Sequence, residues 1–409
     1  MYEREVANQR VRSEYQTFSF KGTGAEYFRI WIVNIALTIL TLGIYSAWAK
    51  VRTNRYIYAN SYLNGSNFEY NADPIKILIG RVIVVGVYGA FVIFSEYLMM
   101  LEVAGFIALM AVVLMPWLMR QAVSFKLRNT SYRNIPFKYR GKTGDFYLFF
   151  ILHGLLNIVT LFLAIPYSYV KFKKLIISKS EYGQGKFSFD GTAGESYSTY
   201  ILVFVWSTIT MMGLFLFIAM IMWVIVGAGG MLSNDDINAL GETAQMASVL
   251  NDVNSTILID NNITYDNNIT YDNNITYSDE EMDEAMGVIG FLGLLLMFII
   301  YLPIMFWQKG FSDGYFSNFV RNFSRLEDAP LKGTMSPFKL GIISATNVIM
   351  IILSLGLLYP WAKIRYLRYK LENTHFRCAD YEKFESLGYE KGSTVGEEMV
   401  DFFDIDVGL

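Results

Sequence analysis

Residues 48–60 read WAKVRTNRYIYAN, and residues 361–373 read WAKIRYLRYKLEN. The two stretches lie 313 residues apart without a gap, and each one ends an apolar run. A tryptophan followed by a basic helix face is typical of a membrane helix where it meets anionic headgroups. The repeat therefore predicts a membrane protein with a basic cytoplasmic rim.

The composition supports a membrane location. The chain of 409 residues is 53% hydrophobic, and its charged fraction is 17%, whereas soluble domains usually reach about 25%. Several apolar runs approach the length of about 20 residues that spans a bilayer. The single cysteine, Cys378, excludes an internal disulfide, and with only two histidines a zinc site is not expected.

Further copies of the phrase occur between the two strong ones. Trp117 and Asn129 repeat the spacing from Trp48 to Asn60. A weaker copy has Tyr167 in place of the tryptophan, with Lys171, Lys174 and Lys179 behind it. Trp307 and Lys309 mark a fifth, degraded copy. Repeats of this kind determine the architecture of a chain.

A second phrase, F-x-[FY]-x-G-x-x-x-[DE], follows the first. It begins at Phe18, Phe137 and Phe187, and its alternating aromatics indicate short strands. Asn64-Gly65 predicts a type I′ turn between two such strands. The acidic residue would lie in the first turn of the next helix, where the macrodipole favours negative charge. Each unit is therefore interpreted as a helix end, a small cytoplasmic β-hairpin and the next helix.

The distribution of charge leaves two topologies open. Residues 187–308 contain no Lys or Arg, and 228–285 contain twelve Asp and Glu. If every apolar run crosses once, giving seven spans, the basic phrases fall on both sides and the positive-inside rule is violated. If runs 25–50, 144–171 and 336–363 instead enter and leave on one side as re-entrant hairpins, every basic phrase is cytoplasmic. The second topology is favoured.

The expected fold is an all-α integral membrane protein of spanning helices, re-entrant helical hairpins and internal repeats. Its predicted segments are a cytoplasmic strand segment 1–24; a membrane region 25–190 with spans 75–98 and 102–120; a region 191–308 with spans 198–226 and 286–306 and an extracytoplasmic acidic, Asn-rich loop 228–285; a membrane region 309–375; and an acidic cytoplasmic tail 376–409.

The motifs resemble those of the YjgN family of multi-pass bacterial inner-membrane proteins, which is classed as a domain of unknown function. The resemblance rests on Phe18-x-Phe20-x-Gly22, on TLGIYSAWAK at 41–50 and on SLGLLYPWAK at 354–363. It implies an α-helical protein of the bacterial inner membrane. It implies no established chemistry, cofactor or catalytic residue.

The candidate site residues fall into two groups. Basic and aromatic residues of the repeats are candidates for binding anionic headgroups or another anion, although plain topological anchoring would need only their charge. Polar residues inside apolar runs are candidates for a polar path, although hydrogen bonds between helices are their commoner role. The first group is Trp48, Lys50, Arg52, Arg55, Trp117, Arg120, Lys171, Lys174, Trp361, Lys363, Arg365 and Arg368; the second is Asn34, Asn157, Asn347 and Arg81.

The predicted function is transport or the handling of anionic lipid through the basic rim. The alternative is a structural or regulatory membrane protein that binds a cytoplasmic partner. A membrane enzyme acting on lipid has the least support, because no nucleophile–base set, Walker loop or metal motif is present. We expect anionic membrane lipids as partners, no nucleic acid, no cofactor and no metal, with both termini cytoplasmic.

Overall fold

The computed structural model describes residues 15–231 and 279–377. Most of the predicted acidic loop, most of the segment before the first strand and nearly all of the acidic tail lie outside these residues. The barrel that follows belongs to a compact unit formed by residues up to 206 and from 303, whereas 207–302 belong to a second unit.

Eleven short strands form one antiparallel sheet in the order β1-β11-β10-β9-β8-β7-β6-β5-β4-β3-β2. They are β1 Gln16–Thr17, β2 Ser19–Phe20, β3 Ser61–Leu63, β4 Ser66–Tyr70, β5 Thr130–Tyr132, β6 Ile135–Tyr139, β7 Ser180–Tyr182, β8 Gly185–Phe189, β9 Ser324–Leu326, β10 Ala329–Gly333 and β11 Thr374–Phe376.

The sheet closes on itself. Its two end strands, β1 and β2, are separated in the chain only by Phe18, whose N–H donates to the carbonyl of Thr374 at 3.0 Å. β1 pairs with β11 while β2 pairs with β3, so residues 16–20 bridge the gap between the last hairpin and the first. The result is a nearly closed barrel, in which residues 16–20 cover the edges of both β11 and β3 among the described strands and so reduce the number of unpaired strand groups.

The expectation of an all-α fold with separate small hairpins is wrong. The hairpin predicted at Asn64-Gly65 forms, and these two residues have the positive φ angles of 46° and 77° that a type I′ turn requires. However, neighbouring hairpins also pair with each other. Phe68 lies opposite Tyr132 in the register of β4 and β5. Their aromatic side chains then pack inside the ring, which favours one shared core over separate exposed hairpins.

Among the described residues, five helical pairs leave this barrel and return to it. Pairs 1, 3 and 5 are short, and pairs 2 and 4 are long. Pair 1 is α1 Gly24–Leu40 and α2 Ser46–Ala59; pair 2 is α3 Pro74–Val92, continued by a π-helical turn Ile93–Tyr97, and α4 Leu101–Arg128; pair 3 is α5 Thr143–Val159 and α6 Ile165–Ile177; pair 4 is α7 Ala193–Met231 and α8 Asp279–Asn322; pair 5 is α9 Pro337–Leu353 and α10 Tyr359–Glu372.

The repeated acidic residue begins these helices, as the sequence predicted. Thr23 and Glu26 form a reciprocal capping box at α1, and Thr192 and Glu195 form the same pair at α7. The C-terminal ends of α2, α4 and α10 are capped by Asn60, Asn129 and Asn373. Each asparagine donates from Nδ2 to the carbonyl four residues earlier, at 2.8–2.9 Å. The predicted capping role of these asparagines is therefore confirmed.

Strand register corrects the fifth copy of the basic phrase. β9 begins directly after Phe323, as β3 begins directly after Asn60. Counting back twelve residues gives Phe311, not Trp307, as the counterpart of Trp48. Phe311 is fully buried, and it stacks on Trp307 at 5.1 Å between ring centroids.

Three of the described helical segments are long and apolar enough to cross a membrane: Pro74–Tyr97, Leu101–Arg128 and Ala193–Met220. At most 17% of any such window is buried within the protein. These helices therefore present apolar side chains outward, as helices in a lipid environment do.

Candidate functional site

Three of the candidate headgroup-binding arginines donate hydrogen bonds to backbone carbonyls. Arg55 and Arg368 donate from Nη2 to the carbonyls of Ala72 (3.4 Å) and Gly22 (2.8 Å). Arg120 donates from Nε to the carbonyl of Gly141 at 3.2 Å. Each acceptor lies just before the first helix of the next pair, so these arginines fasten one helical pair to the start of the next.

The cations of pair 5 are also partly engaged within the protein. Lys363 donates from Nζ to the hydroxyl of Tyr27 at 3.3 Å. Arg365 donates from Nη1 to Thr346 Oγ1 at 2.9 Å and to Asn347 Oδ1 at 3.4 Å, yet the residue is exposed. Lys363 thus joins pair 5 to pair 1, while Arg365 remains accessible at the surface.

One position of the repeat is both cationic and exposed in every short pair. Arg52, Lys171 and Arg365 each stand eight residues before the end position occupied by Asn60, Lys179 and Asn373, and all three are exposed. The same position in the long pairs holds Gln121, which is buried, and Tyr315. We call these three exposed cations the collar.

The other candidates of the first group differ in their exposure and in their contacts. Lys174 is exposed, Lys50 is half-buried with partners inside the protein, and Lys171 lies 5.2 Å from the ring centroid of Tyr167. Among the aromatic members, Trp48 stacks at 6.2 Å on Tyr45, which caps the start of the same helix; Trp117 is half-buried; and Trp361 of α10 lies 5.3 Å from Phe28 of α1.

The polar residues inside the apolar runs link the two helices of a pair. Asn34 and Asn347 are buried and donate from Nδ2 to the carbonyls of Ala49 (3.3 Å) and Ala362 (2.9 Å). Asn157 accepts from the Ser168 hydroxyl at 3.1 Å. These are the interhelical hydrogen bonds that the sequence favoured for them.

His153, rather than Asn157, occupies the position of Asn34 in pair 3. Both residues lie seven positions before the first residue of the turn, which is Thr160 in pair 3 and Thr41 in pair 1. His153 stacks on Tyr167 with ring centroids 5.8 Å apart, so it too contacts the second helix of its pair. Arg81 connects differently: its Nη1 donates to Ser46 Oγ, joining pair 2 to pair 1.

The turns of the three short pairs share one conformation. Thr41, Thr160 and Ser354 each accept from the N–H four residues later at 2.9–3.2 Å. The second residue of each turn has φ near +50°. This residue is Leu42, Leu161 or Leu355, and its side chain is 95%, 81% or 94% exposed. Three large apolar side chains at three matching tips indicate insertion into an apolar medium.

The barrel encloses a cavity of about 380 Å³ that the sequence did not reveal. Two layers of five apolar side chains line its wall. The first layer comes from β3, β5, β7, β9 and β11, and the second comes from Phe18 and from β4, β6, β8 and β10. The layers are Leu63, Tyr132, Tyr182, Leu326 and Phe376, and Phe18, Phe68, Phe137, Phe187 and Leu331.

A third layer of the lining consists of hydroxyl residues. Each follows the end position of its helix and donates to the carbonyl four residues earlier, at 2.6–2.9 Å. The layer is Ser61, Thr130, Ser180, Ser324 and Thr374. In all five copies the sequence has a serine or threonine directly after the end position of the repeat. This signal would have revealed the fifth copy in its correct register.

Two of the titratable groups with perturbed pKa values near the barrel are Glu26 and His375. The Tyr56 hydroxyl donates to Glu26 at 2.9 Å and, as the main cause, lowers the pKa of that carboxyl. Partial burial, helped by the nearby Lys332 charge, lowers the pKa of His375. Both groups serve contacts between chain segments, since His375 lies between Thr17 Oγ1 at 2.8 Å and Thr334 Oγ1 at 2.9 Å.

Within 15–231 and 279–377, no group of three or more His, Cys, Asp or Glu residues is arranged to hold a metal ion. The arrangement instead offers exposed cations, apolar tips and an apolar cavity. These features suit the binding of amphipathic molecules.

Comparison with known proteins gives a family but no activity. A family model described as "Bacterial protein of unknown function (DUF898)" matches residues 15–402. The inner membrane protein YjgN of Escherichia coli K12 is 43% identical over 74 residues, and that of Salmonella typhimurium LT2 is 44% identical over 72 residues. These alignments cover 18% of this chain and 18–19% of the relatives, so the chain matches about a fifth of each relative's length. No solved structure matches the chain.

Proposed function

Since the chain belongs to this family of bacterial proteins of unknown function, we propose that it is an inner-membrane protein that binds anionic lipid headgroups through its collar of Arg52, Lys171 and Arg365. The name of the matching relatives supports the location. The observation that carries the proposal is that every short pair has both one exposed, matched cation and an exposed apolar tip.

The length of the short pairs suits partial insertion. In pair 1 no charged residue lies between Arg29 and Lys50. From Arg29 to the end of α1 at Leu40 the helix rises about 16 Å at 1.5 Å per residue, roughly half of the hydrocarbon thickness of about 30 Å. The turn at Leu42 would then lie near the middle of the bilayer, and the collar near its surface.

The path of the chain supports a cytoplasmic barrel. Both ends of every helical pair join the barrel, so one side of the membrane accommodates all five connections. Lys and Arg are concentrated near this side and are absent from 187–308. By the positive-inside rule, this distribution favours a cytoplasmic barrel. This topology is the re-entrant one, in which pairs 2 and 4 span the membrane.

A transport path through the polar residues has less support. Asn34 and Asn347 bond to backbone carbonyls of their own pairs, and neither lines the barrel cavity. The basic phrase therefore divides in two: Arg55, Arg120 and Arg368 hold the protein together, and the collar is available to ligands.

The test is the retention of anionic lipid after purification. The triple variant Arg52→Gln/Lys171→Gln/Arg365→Gln should retain far less phosphatidylglycerol and cardiolipin, measured by lipid extraction and native mass spectrometry. Each cation near an anionic surface contributes about 1 kcal/mol, so the loss should be on the order of a hundredfold in affinity.

The matched control removes three lysines from the outer face of the barrel. Lys138, Lys186 and Lys332 alternate with inward-facing residues of their strands, and their replacement by Gln changes the net charge equally. Retention should persist in this variant. Equal retention in both triple variants would refute the proposal. A variant with Arg52→Lys and Arg365→Lys separates binding from anchoring, because lysine keeps the charge but loses bidentate phosphate geometry.

A further inference from the structure

The cavity of the barrel is lined by residues that the collar does not use. Its wall combines the two apolar layers with side chains from the last turns of the helices, among them Ile57, Leu127 and Leu371. None of Arg52, Lys171 and Arg365 is part of the lining. The cavity is thus a second place where a ligand can bind, within the same compact unit.

The charged side chains of the lining are all basic. Lys126 and Arg321 belong to it, and none of the described residues that form it is acidic. These two cationic residues lie near the ends of α4 and α8, the second helices of the two long pairs. Each already has a partner within the protein, and Arg321 donates from Nη1 to the carbonyl of Ser317 at 3.2 Å. A ligand that fits this wall therefore has a large apolar part and a negative charge.

The hydroxyl layer reinforces this selection. Ser61, Thr130, Ser180, Ser324 and Thr374 already donate their protons to helix carbonyls. They present oxygen lone pairs, which repel an anion, so a negative head would be directed to Lys126 and Arg321. The volume also restricts the ligand, because about 380 Å³ is near the lower end of the usual 300–1,000 Å³ of binding pockets.

We propose that the barrel cavity binds a single-chain amphiphile with an anionic head, of the class of long-chain fatty carboxylates. The chain would lie among the two apolar layers, and the carboxylate would face Lys126 and Arg321. Binding requires no change of covalent structure. The proposal is independent of lipid binding at the collar.

The pseudo-repeat supplies a way to fill the cavity without altering the strands. Leu326 is the counterpart of Tyr132 and Tyr182, which stand at the same position in the hairpins after pairs 2 and 3. In the same way, Leu331 is the counterpart of Phe137 and Phe187. Leu326→Tyr/Leu331→Phe therefore introduces side chains that this barrel already accommodates. The new hydroxyl has an acceptor by analogy, since Tyr182 donates to the carbonyl of Tyr132 at 3.1 Å.

The experiment measures saturable binding of radiolabelled oleate to the full chain in nanodiscs of phosphatidylcholine. Oleyl alcohol and dioleoyl phosphatidylglycerol serve as competitors, because one lacks the charge and the other has two chains. We expect oleate to displace the label, with the alcohol about tenfold weaker and the phospholipid without effect. Displacement by the alcohol as effective as by oleate, or by the phospholipid alone, would overturn the proposal.

Two variants locate the binding. Leu326→Tyr/Leu331→Phe should weaken oleate binding about tenfold or more, and Lys126→Gln/Arg321→Gln should reduce the preference for oleate over the alcohol. The collar variant Arg52→Gln/Lys171→Gln/Arg365→Gln should bind oleate as before, which separates this proposal from lipid binding at the collar. Unchanged binding in the filled variant would refute the cavity as the site.

A second measurement covers the case in which a variant does not fold. A diazirine-labelled fatty acid, photoactivated on the unmodified protein, should crosslink to peptides that contain Leu63, Tyr182 or Phe376. Crosslinks confined to the tips at Leu42, Leu161 and Leu355 would show that the fatty acid reaches the protein only from the bilayer, and the proposal would then be wrong.

Discussion

Asn347 donates a hydrogen bond of 2.9 Å from its side-chain amide to the carbonyl oxygen of Ala362, across the two helices of pair 5. Its Oδ1 accepts from Arg365 at 3.4 Å, so both ends of the amide are engaged. Asn34 makes the corresponding bond to Ala49 at 3.3 Å, but its Oδ1 is buried without a hydrogen-bond partner among the described residues. The two copies of one contact are therefore unequal.

This inequality predicts different costs for the same substitution. Asn347→Ala should destabilise the protein by about 1–1.5 kcal/mol, within the range found for hydrogen bonds between membrane helices. Asn34→Ala should cost roughly half as much, because it also removes an unsatisfied buried oxygen. Thermal unfolding of both variants in the same detergent checks the order. A larger loss for Asn34→Ala would contradict it.

The turn glycines of the short pairs should resist substitution. Gly43 and Gly356 have φ of +92° and +90°, with open space where a Cβ would lie. The cost of Gly43→Ala is therefore a backbone cost, about 1–2 kcal/mol for a left-handed residue. Gly86 provides the control: it lies inside α3, also with open space around it. Gly86→Ala should stabilise the protein by up to about 1 kcal/mol. Equal effects at both sites would exclude the backbone explanation.

The membrane topology predicts a labelling pattern. Single cysteines, introduced after Cys378→Ser, would be treated with an impermeant thiol reagent. Sites at 240 and 270, which lie outside the described residues, should react in intact cells. Sites at 64, 183, 325 and 385 should react only after the membrane is opened, because the barrel and the C-terminal tail are expected to be cytoplasmic. Reaction at 183 but not at 240 in intact cells would mean that pair 3 crosses the membrane.

The pairing between residues 16–20 and β11 should become less stable in mild acid. His375 has a pKa below its ordinary value of 6.5, so the unfolded chain binds the proton more readily than the folded one. The stability from this group is present above pH 6.5 and is lost as the pH falls through the lower, folded pKa. Amide hydrogen exchange at residues 16–20 should therefore accelerate between pH 7.5 and pH 5.5.

The control for this prediction is His375→Gln, which keeps hydrogen-bonding groups between Thr17 and Thr334 but does not titrate in this range. Exchange at residues 16–20 should then vary less with pH, after correction for the intrinsic exchange rates. Exchange that accelerates in acid to the same extent in both proteins would assign the effect to another group.

The local features of the fold were readable from the sequence because their causes are local. The turn at Asn64-Gly65, the caps at Asn60 and Glu26 and the helical hairpin around Gly43 each depend on residues a few positions apart. The repeat spacing then related one unit to the next. These features were sufficient to predict five helical pairs joined by short strands.

The barrel and its cavity were not readable in the same way. The pairing of Phe68 with Tyr132, and of Gln16 with Phe376, joins residues distant in the chain, and no local pattern encodes which hairpin lies beside which. For the same reason, the backbone contacts of Arg55, Arg120 and Arg368 were not predicted. Arg368 was expected to face headgroups, whereas it donates to the carbonyl of Gly22, which closure of the ring brings next to it.

The pairing of residues 16–20 with β11 also limits how early the barrel can form during synthesis of the chain. Gln16 leaves the ribosome well before its partner Phe376, which is synthesised 360 residues later, about 20–70 s at roughly 5–20 residues per second. During that interval residues 16–20 and the growing set of hairpins have edges that nothing yet covers. Factors that bind nascent strands, or a slow stretch of translation, would therefore act most strongly on this protein before its last hairpin appears.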